Sequence, residues 1–122
     1  MKVKIDTKEK FHVITLEEPV LSANMTEELK QKLLANLQKD IKNVILKLGQ
    51  VIDIDRNTAD MLADLQQTFG EHHASFVICE LQKPVEEFLD EQELLEIMNV
   101  TPTESEAWDI VQMEEIEREF LD

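Results

Sequence analysis

Glycine is nearly missing from this 122-residue chain, which has only Gly49 and Gly70. A dinucleotide fingerprint or a phosphate loop needs glycines at fixed spacing, and neither pattern is present. The single cysteine, Cys79, excludes an intrachain disulfide and a cysteine-built zinc site. Basic residues are scarce, 12 Lys and Arg against 27 Asp and Glu, giving a net charge of -15. A phosphate-backbone binder needs clustered Lys and Arg, so nucleic acid is not an expected partner. No apolar run approaches the ~20 residues of a membrane span. Met1–Asp6 lacks the apolar stretch of a secretory signal. These features predict one cytoplasmic domain that spans no membrane and is not an enzyme.

An apolar fraction of 43% is near the globular norm and supports a packed core in a domain of this length. The acid is unevenly spread. Residues 1–79 hold 12 acidic and 10 basic side chains, whereas residues 80–122 hold 15 acidic and 2 basic. The acidic third reads as a solvated face that aids solubility, or as a docking surface for a basic partner.

Val3–Asp6 and Phe11–Leu16 read as two strands joined by a turn at Lys8-Glu9-Lys10, and Pro19 halts the second. Asn24 followed by Glu27 predicts a helix start, and Met25, Leu29, Leu33, Leu34 and Leu37 follow at helical spacing. Asn43–Leu48 predicts a buried strand. Met61, Leu62, Leu65 and Phe69 form the stripe of a second helix, with Gly70 as its expected C-terminal cap. Ser75–Cys79 predicts another buried strand, and Pro84 opens a third helix through Val85, Phe88 and Leu89. Leu94–Val100 leads into a short strand.

Thr101-Pro102-Thr103-Glu104 predicts the start of a last helix, with Thr101 as cap. Its first apolar stripe is Ala107, Ile110 and Val111. Its second, Met113, Ile116 and Phe120 with Leu121, is rotated from the first. That second stripe predicts an exposed apolar patch and self-association as a homodimer through the C-terminal helix. Trp108 reads as a packing residue, with an interface anchor as the other reading. Strands alternating with helices predict an α/β fold: a mixed, mostly parallel sheet of four to five strands with about four helices packed on it.

The polar residues suggest little chemistry. His72 and His73 are adjacent in a loop and point apart, and Cys79 falls in a core strand, so no metal or cofactor is expected. Asp53 and Asp55 share one face of an extended segment, but no nucleophile or oxyanion-binding glycine accompanies them. Asp55 or Asn57 reads instead as the cap of the second helix.

The strand Asn43–Leu48, the loop Gly49–Asp55 and the helix after it resemble the STAS domain, the fold of bacterial anti-sigma factor antagonists. The resemblance continues through Phe76–Cys79, Lys83-Pro84-Val85, Phe88-Leu89, Leu94, Val100 and Glu106-Ala107. It covers residues 1–112 as a single domain, with 113–122 as an extension of the acidic C-terminal helix. The family pattern Asp-Ser-Ser-Gly-Leu-Gly stands here as Asp55-Arg56-Asn57-Thr58-Ala59-Asp60. The serine that the family phosphorylates is therefore Arg56, which has no hydroxyl and carries the opposite charge. Thr58, at the family's glycine position, is the displaced candidate phosphoacceptor. The family's Gly-x-Leu-Asp loop stands as Glu18-Pro19-Val20-Leu21-Ser22, with Ser22 in place of the Asp.

What the resemblance implies is a protein-binding module for partner switching in the regulation of transcription. The partner would be an anti-sigma factor or kinase-like protein. The implied contact residues are Ser22, Asp55, Arg56, Asn57, Thr58, Met61 and Asp64, with Arg56 meeting a partner carboxylate. STAS domains also serve as scaffolds or as accessory subunits of complexes such as lipid-transport ABC systems. In that alternative the acidic helix would be the docking element.

Overall fold

The computed structural model describes residues 1–121, without the side chains of Ala23 and Leu121. The predicted Leu121 contribution to the late stripe, and Asp122 in the C-terminal extension, lie outside the described residues. Strands β1 (Val3–Thr7), β2 (Phe11–Leu16), β4 (Asn43–Lys47), β6 (Phe76–Cys79) and β7 (Val100–Thr101) form one sheet in the order β1-β2-β4-β6-β7. β1 runs antiparallel to β2, and the other neighbours are parallel. Two further strands, β3 (Val20–Leu21) and β5 (Asp53–Ile54), pair in parallel as a separate small sheet. The helices are α1 (Ala23–Leu34), α2 (Arg56–Glu71), α3 (Lys83–Glu91) and α4 (Glu104–Leu121). The α/β architecture with a mixed five-stranded sheet and four helices is the one expected.

Alternation along the central strands explains the two layers. Ile14, Leu16, Val44, Leu46, Phe76 and Ile78 point to one face and meet Leu29 and Leu33 of α1, Leu62, Leu65 and Phe69 of α2, and Val85 and Leu89 of α3. Phe11, Val13, Ile45, Val77 and Cys79 point to the other face, where Ala107 and Val111 of α4 cover them. The Phe11 and Trp108 rings meet edge-on with centroids 5.0 Å apart. Trp108 thus serves as the packing residue that closes the α4 side, and its Nε1 donates to Glu104 at 2.9 Å.

Polar groups fasten α4 at both ends. Asn43, buried at the start of β4, donates to the Lys10 carbonyl and to Glu115 Oε1, and accepts from the Ser75 amide at 2.7 Å. Arg118 donates to Ser75 Oγ and to Glu115. At the other end, Lys47 reaches Glu104 at 3.0 Å and Glu80 at 3.5 Å. The Glu104 hydrogen bond foremost keeps the Lys47 ammonium pKa above its ordinary value, against the effect of burial.

Several helix ends differ from the expected ones. α1 is capped by Ser22, not Asn24, because Ser22 takes the extended backbone and Asn24 enters the first turn. Regular α-helix stops at Leu34, and Leu37 is buried from a following 3-10 turn. Gly70 lies inside α2. The left-handed position after that helix is His73, with φ 58°. The His73 amide bonds to the Gly70 carbonyl and the Ala74 amide to the Phe69 carbonyl, which is the Schellman arrangement. α4 starts two residues later than Pro102 suggests, because Thr103 caps it. The Glu106 amide donates to Thr103 Oγ1 and that hydroxyl donates back to the Glu106 carboxylate.

Candidate functional site

The small sheet decides what meets what. Val20 pairs with Asp53 and Leu21 with Ile54, and the Ile52 amide donates to the Pro19 carbonyl at 2.8 Å. These bonds bind the loop before α1 to the loop before α2. The two helices therefore begin side by side, with their N-termini at the same end of the molecule. Ser22 caps α1 with no side-chain bond to its amides. Asp55 caps α2 and accepts from the Thr58 amide at 2.8 Å. Asp55 thus has the cap role expected from sequence. Asn57, the alternative cap, lies exposed in the first turn.

Arg56 opens α2, where the helix dipole disfavours a cation. Local partners offset that cost: Nε bonds Asp60 at 2.9 Å and Nη1 bonds Gln92, just beyond α3. The guanidinium remains more than half exposed. Met61 and Asp64 lie further along α2, beside a groove of about 290 Å³ between α1 and α2. Met61 is buried at its base and Asp64 is exposed on its rim.

Thr58 is a correction. Its side chain is fully buried and its hydroxyl shares a 2.7 Å hydrogen bond with Thr26 of α1. It does not offer the hydroxyl to a kinase or a side-chain surface to a partner. Helical periodicity explains this: Thr58 precedes Met61, Leu62 and Leu65 by three, four and seven residues and shares their inward face. Ser22, Asp55, Arg56 and Asn57 are brought together, Met61 and Asp64 extend from them, and Thr58 lies beneath.

Sequence reasoning missed Val20 and Ile52, two exposed apolar residues beside this cluster. Val20 lies in β3 and Ile52 just before β5, and both strands are two residues long, too short to show alternation. The signal available was Pro19, which follows the end of β2 at Leu16 and keeps the next apolar residues from continuing that strand. Met113, Ile116 and Phe120 are exposed along α4, as the rotated stripe implies. Cys79 is buried on the α4 side, and burial first, then the nearby Glu80 and Glu104, push its thiol up to about 12. His72 bonds the Thr68 carbonyl. Among the described residues, no group of three His, Cys, Asp or Glu side chains is placed to hold a metal ion. No helix of the described residues is long and apolar enough to cross a membrane.

The sequence profile of the STAS domain matches residues 2–107. The chain belongs to the STAS-domain family. The match ends at Ala107, the first buried residue of α4. An anti-sigma factor antagonist from Mycobacterium paratuberculosis shares this STAS fold, with a TM-score of 0.79 at 14% identity over 91% of this chain and 93% of that one. An anti-sigma factor antagonist candidate from Thermotoga maritima aligns with a TM-score of 0.77 at 20% identity, over 90% and 94% of the two chains. The Bacillus cell fate determinant SpoIIAA in its phosphorylated form aligns with a TM-score of 0.66 at 15% identity, over 90% and 99%. Comparison with curated proteins gave no match. At such identities the structures speak to the fold, and the STAS architecture is what they share with this chain.

Proposed function

We propose that this STAS domain is a non-enzymatic, cytoplasmic protein-binding module of the partner-switching kind, regulating transcription by sequestering an anti-sigma factor. The surface is formed by Ser22, Asp55, Arg56 and Asn57, with Val20 and Ile52 beside them and Met61 and Asp64 along the groove. The observation that carries this reading is the β3–β5 pairing. It sets two helix N-termini and two exposed apolar side chains on one fixed surface, as a docking site requires. Arg56 stands where the family carries its phosphorylatable serine. The module is then constitutive, and Arg56 contributes a partly exposed cation for a partner carboxylate.

Isothermal titration of the chain and its Arg56→Glu variant against an ATPase-type anti-sigma factor tests the proposal. The variant is expected to bind at least about tenfold more weakly. Its unfolding free energy should stay within about 0.5 kcal/mol of the parent, because the Arg56–Asp60 pair is solvent-exposed. Equal affinity in the two chains, or no binding by either, removes the reading. Incubation with the same partner and ATP should add no phosphate, and phosphate on Thr58 would overturn the constitutive form.

A further inference from the structure

A second surface lies across the sheet from the first. Ala107 and Val111 turn one side of α4 onto the sheet. The opposite side carries Met113, Ile116 and Phe120 at spacings of three and four, exposed by 57%, 53% and 85%. Such a stripe gains by being covered, since leaving large apolar side chains in water forfeits their transfer free energy. Its chemical surroundings narrow the choice of cover.

Glu106, Asp109 and Glu117 fall on the same side of α4 by helical angle, Glu119 flanks it, and all four are exposed. The one basic residue of α4, Arg118, is directed inward to Asn43, Ser75 and Glu115. Lys10 lines a shallow groove at one margin, beside Gln112, Ile116 and Glu119. Packing a second copy face to face would oppose two acidic surfaces, and an anionic membrane would be repelled in the same way. Only a cover that is apolar along one stripe and cationic on its flanks satisfies both features.

We propose that the outer face of α4 docks a cationic amphipathic helix of a protein partner. Its apolar stripe packs on Met113, Ile116 and Phe120, and its flanking Lys or Arg side chains meet Glu106, Asp109, Glu117 and Glu119. This replaces homodimerisation as the expected use of the stripe. It stands independently of the loop surface. The two sites lie on opposite faces of the sheet, so the domain can hold two partners at once.

The probe is a synthetic helical peptide of leucine and lysine only, titrated into the isotopically labelled full chain by NMR. Amide shifts should concentrate on α4 from Glu106 to Phe120, and affinity should fall as salt is raised. The Ile116→Ser/Phe120→Ser variant changes only exposed positions. It should keep the parent's spectrum elsewhere and bind at least about tenfold more weakly. The proposal is overturned if the shifts centre on another face, if the variant binds equally well, or if a leucine–glutamate peptide binds as tightly. It is equally overturned if sedimentation reveals a dimer that the variant abolishes, or if anionic vesicles shift the same amides.

Discussion

His73 and Glu93 each follow a helix in the left-handed region, with φ of 58° and 61°. Both complete the same hydrogen-bond arrangement. After α3, the Glu93 amide bonds the Asp90 carbonyl and the Leu94 amide bonds the Leu89 carbonyl. A side chain with a Cβ costs about 1–2 kcal/mol in that conformation, and glycine avoids the cost. Glu93 is exposed, so Glu93→Gly removes the penalty without opening a cavity. Part of the gain is cancelled by the greater freedom of glycine in the unfolded chain. We expect a net stabilisation of about 1 kcal/mol in urea titrations, and an unchanged or lower midpoint would contradict it. The same residues show why the C-terminal end of α2 differs from the one Gly70 suggests. The chain has so few glycines that polar residues carry the left-handed positions, and only the backbone reveals which ones.

At the scale of elements, the helices and long strands were legible because burial imposes a period on them. Leu62, Leu65 and Phe69 keep helical spacing, and Val44–Leu46 and Phe76–Ile78 are apolar runs covered on both faces. β3 and β5 were not legible, since two residues contain no period. The surface they create around Val20 and Ile52 was hidden with them. The burial of Thr58 is legible only from its place on the inward face of α2, which a family position alone does not convey. β6 offers a direct check on the layer beneath α4. Its Cys79 thiol is raised to about 12 by burial, so almost none of it is thiolate near neutrality. A disulfide reagent near pH 8 should leave the native chain unmodified and label the urea-unfolded chain in full. Rapid labelling in native buffer would show that α4 does not cover this strand.

For the molecule as a whole, acidity is a cost borne by the last third of the chain, and Glu115 illustrates how it is offset. Burial pushes its carboxyl pKa up, but hydrogen bonds from Asn43 and Arg118, with the guanidinium charge, outweigh burial and hold it below the ordinary 4.5. A carboxylate depressed in the folded state stabilises above its unfolded pKa. That stability is lost as pH falls through the depressed value. Glu115→Gln should therefore lower stability by about 1 kcal/mol at neutral pH. Parent and variant should converge as pH drops below the folded pKa of Glu115. Urea titrations from pH 7 downward, in steps to the acid limit of folding, follow the convergence, and a deficit that does not shrink with falling pH would assign Glu115 a purely steric role.

The small parallel ribbon of β3 and β5 has a thermodynamic consequence for recognition. It joins segments distant in the chain, and the entropy of closing the loop between them is lost once, when the domain folds. A ligand that engages both segments then encounters a preorganised epitope, and little of its interaction free energy is spent on ordering them. The ribbon also couples the segments mechanically. A partner that displaces Pro19 from the Ile52 amide must perturb the start of α2 as well as that of α1.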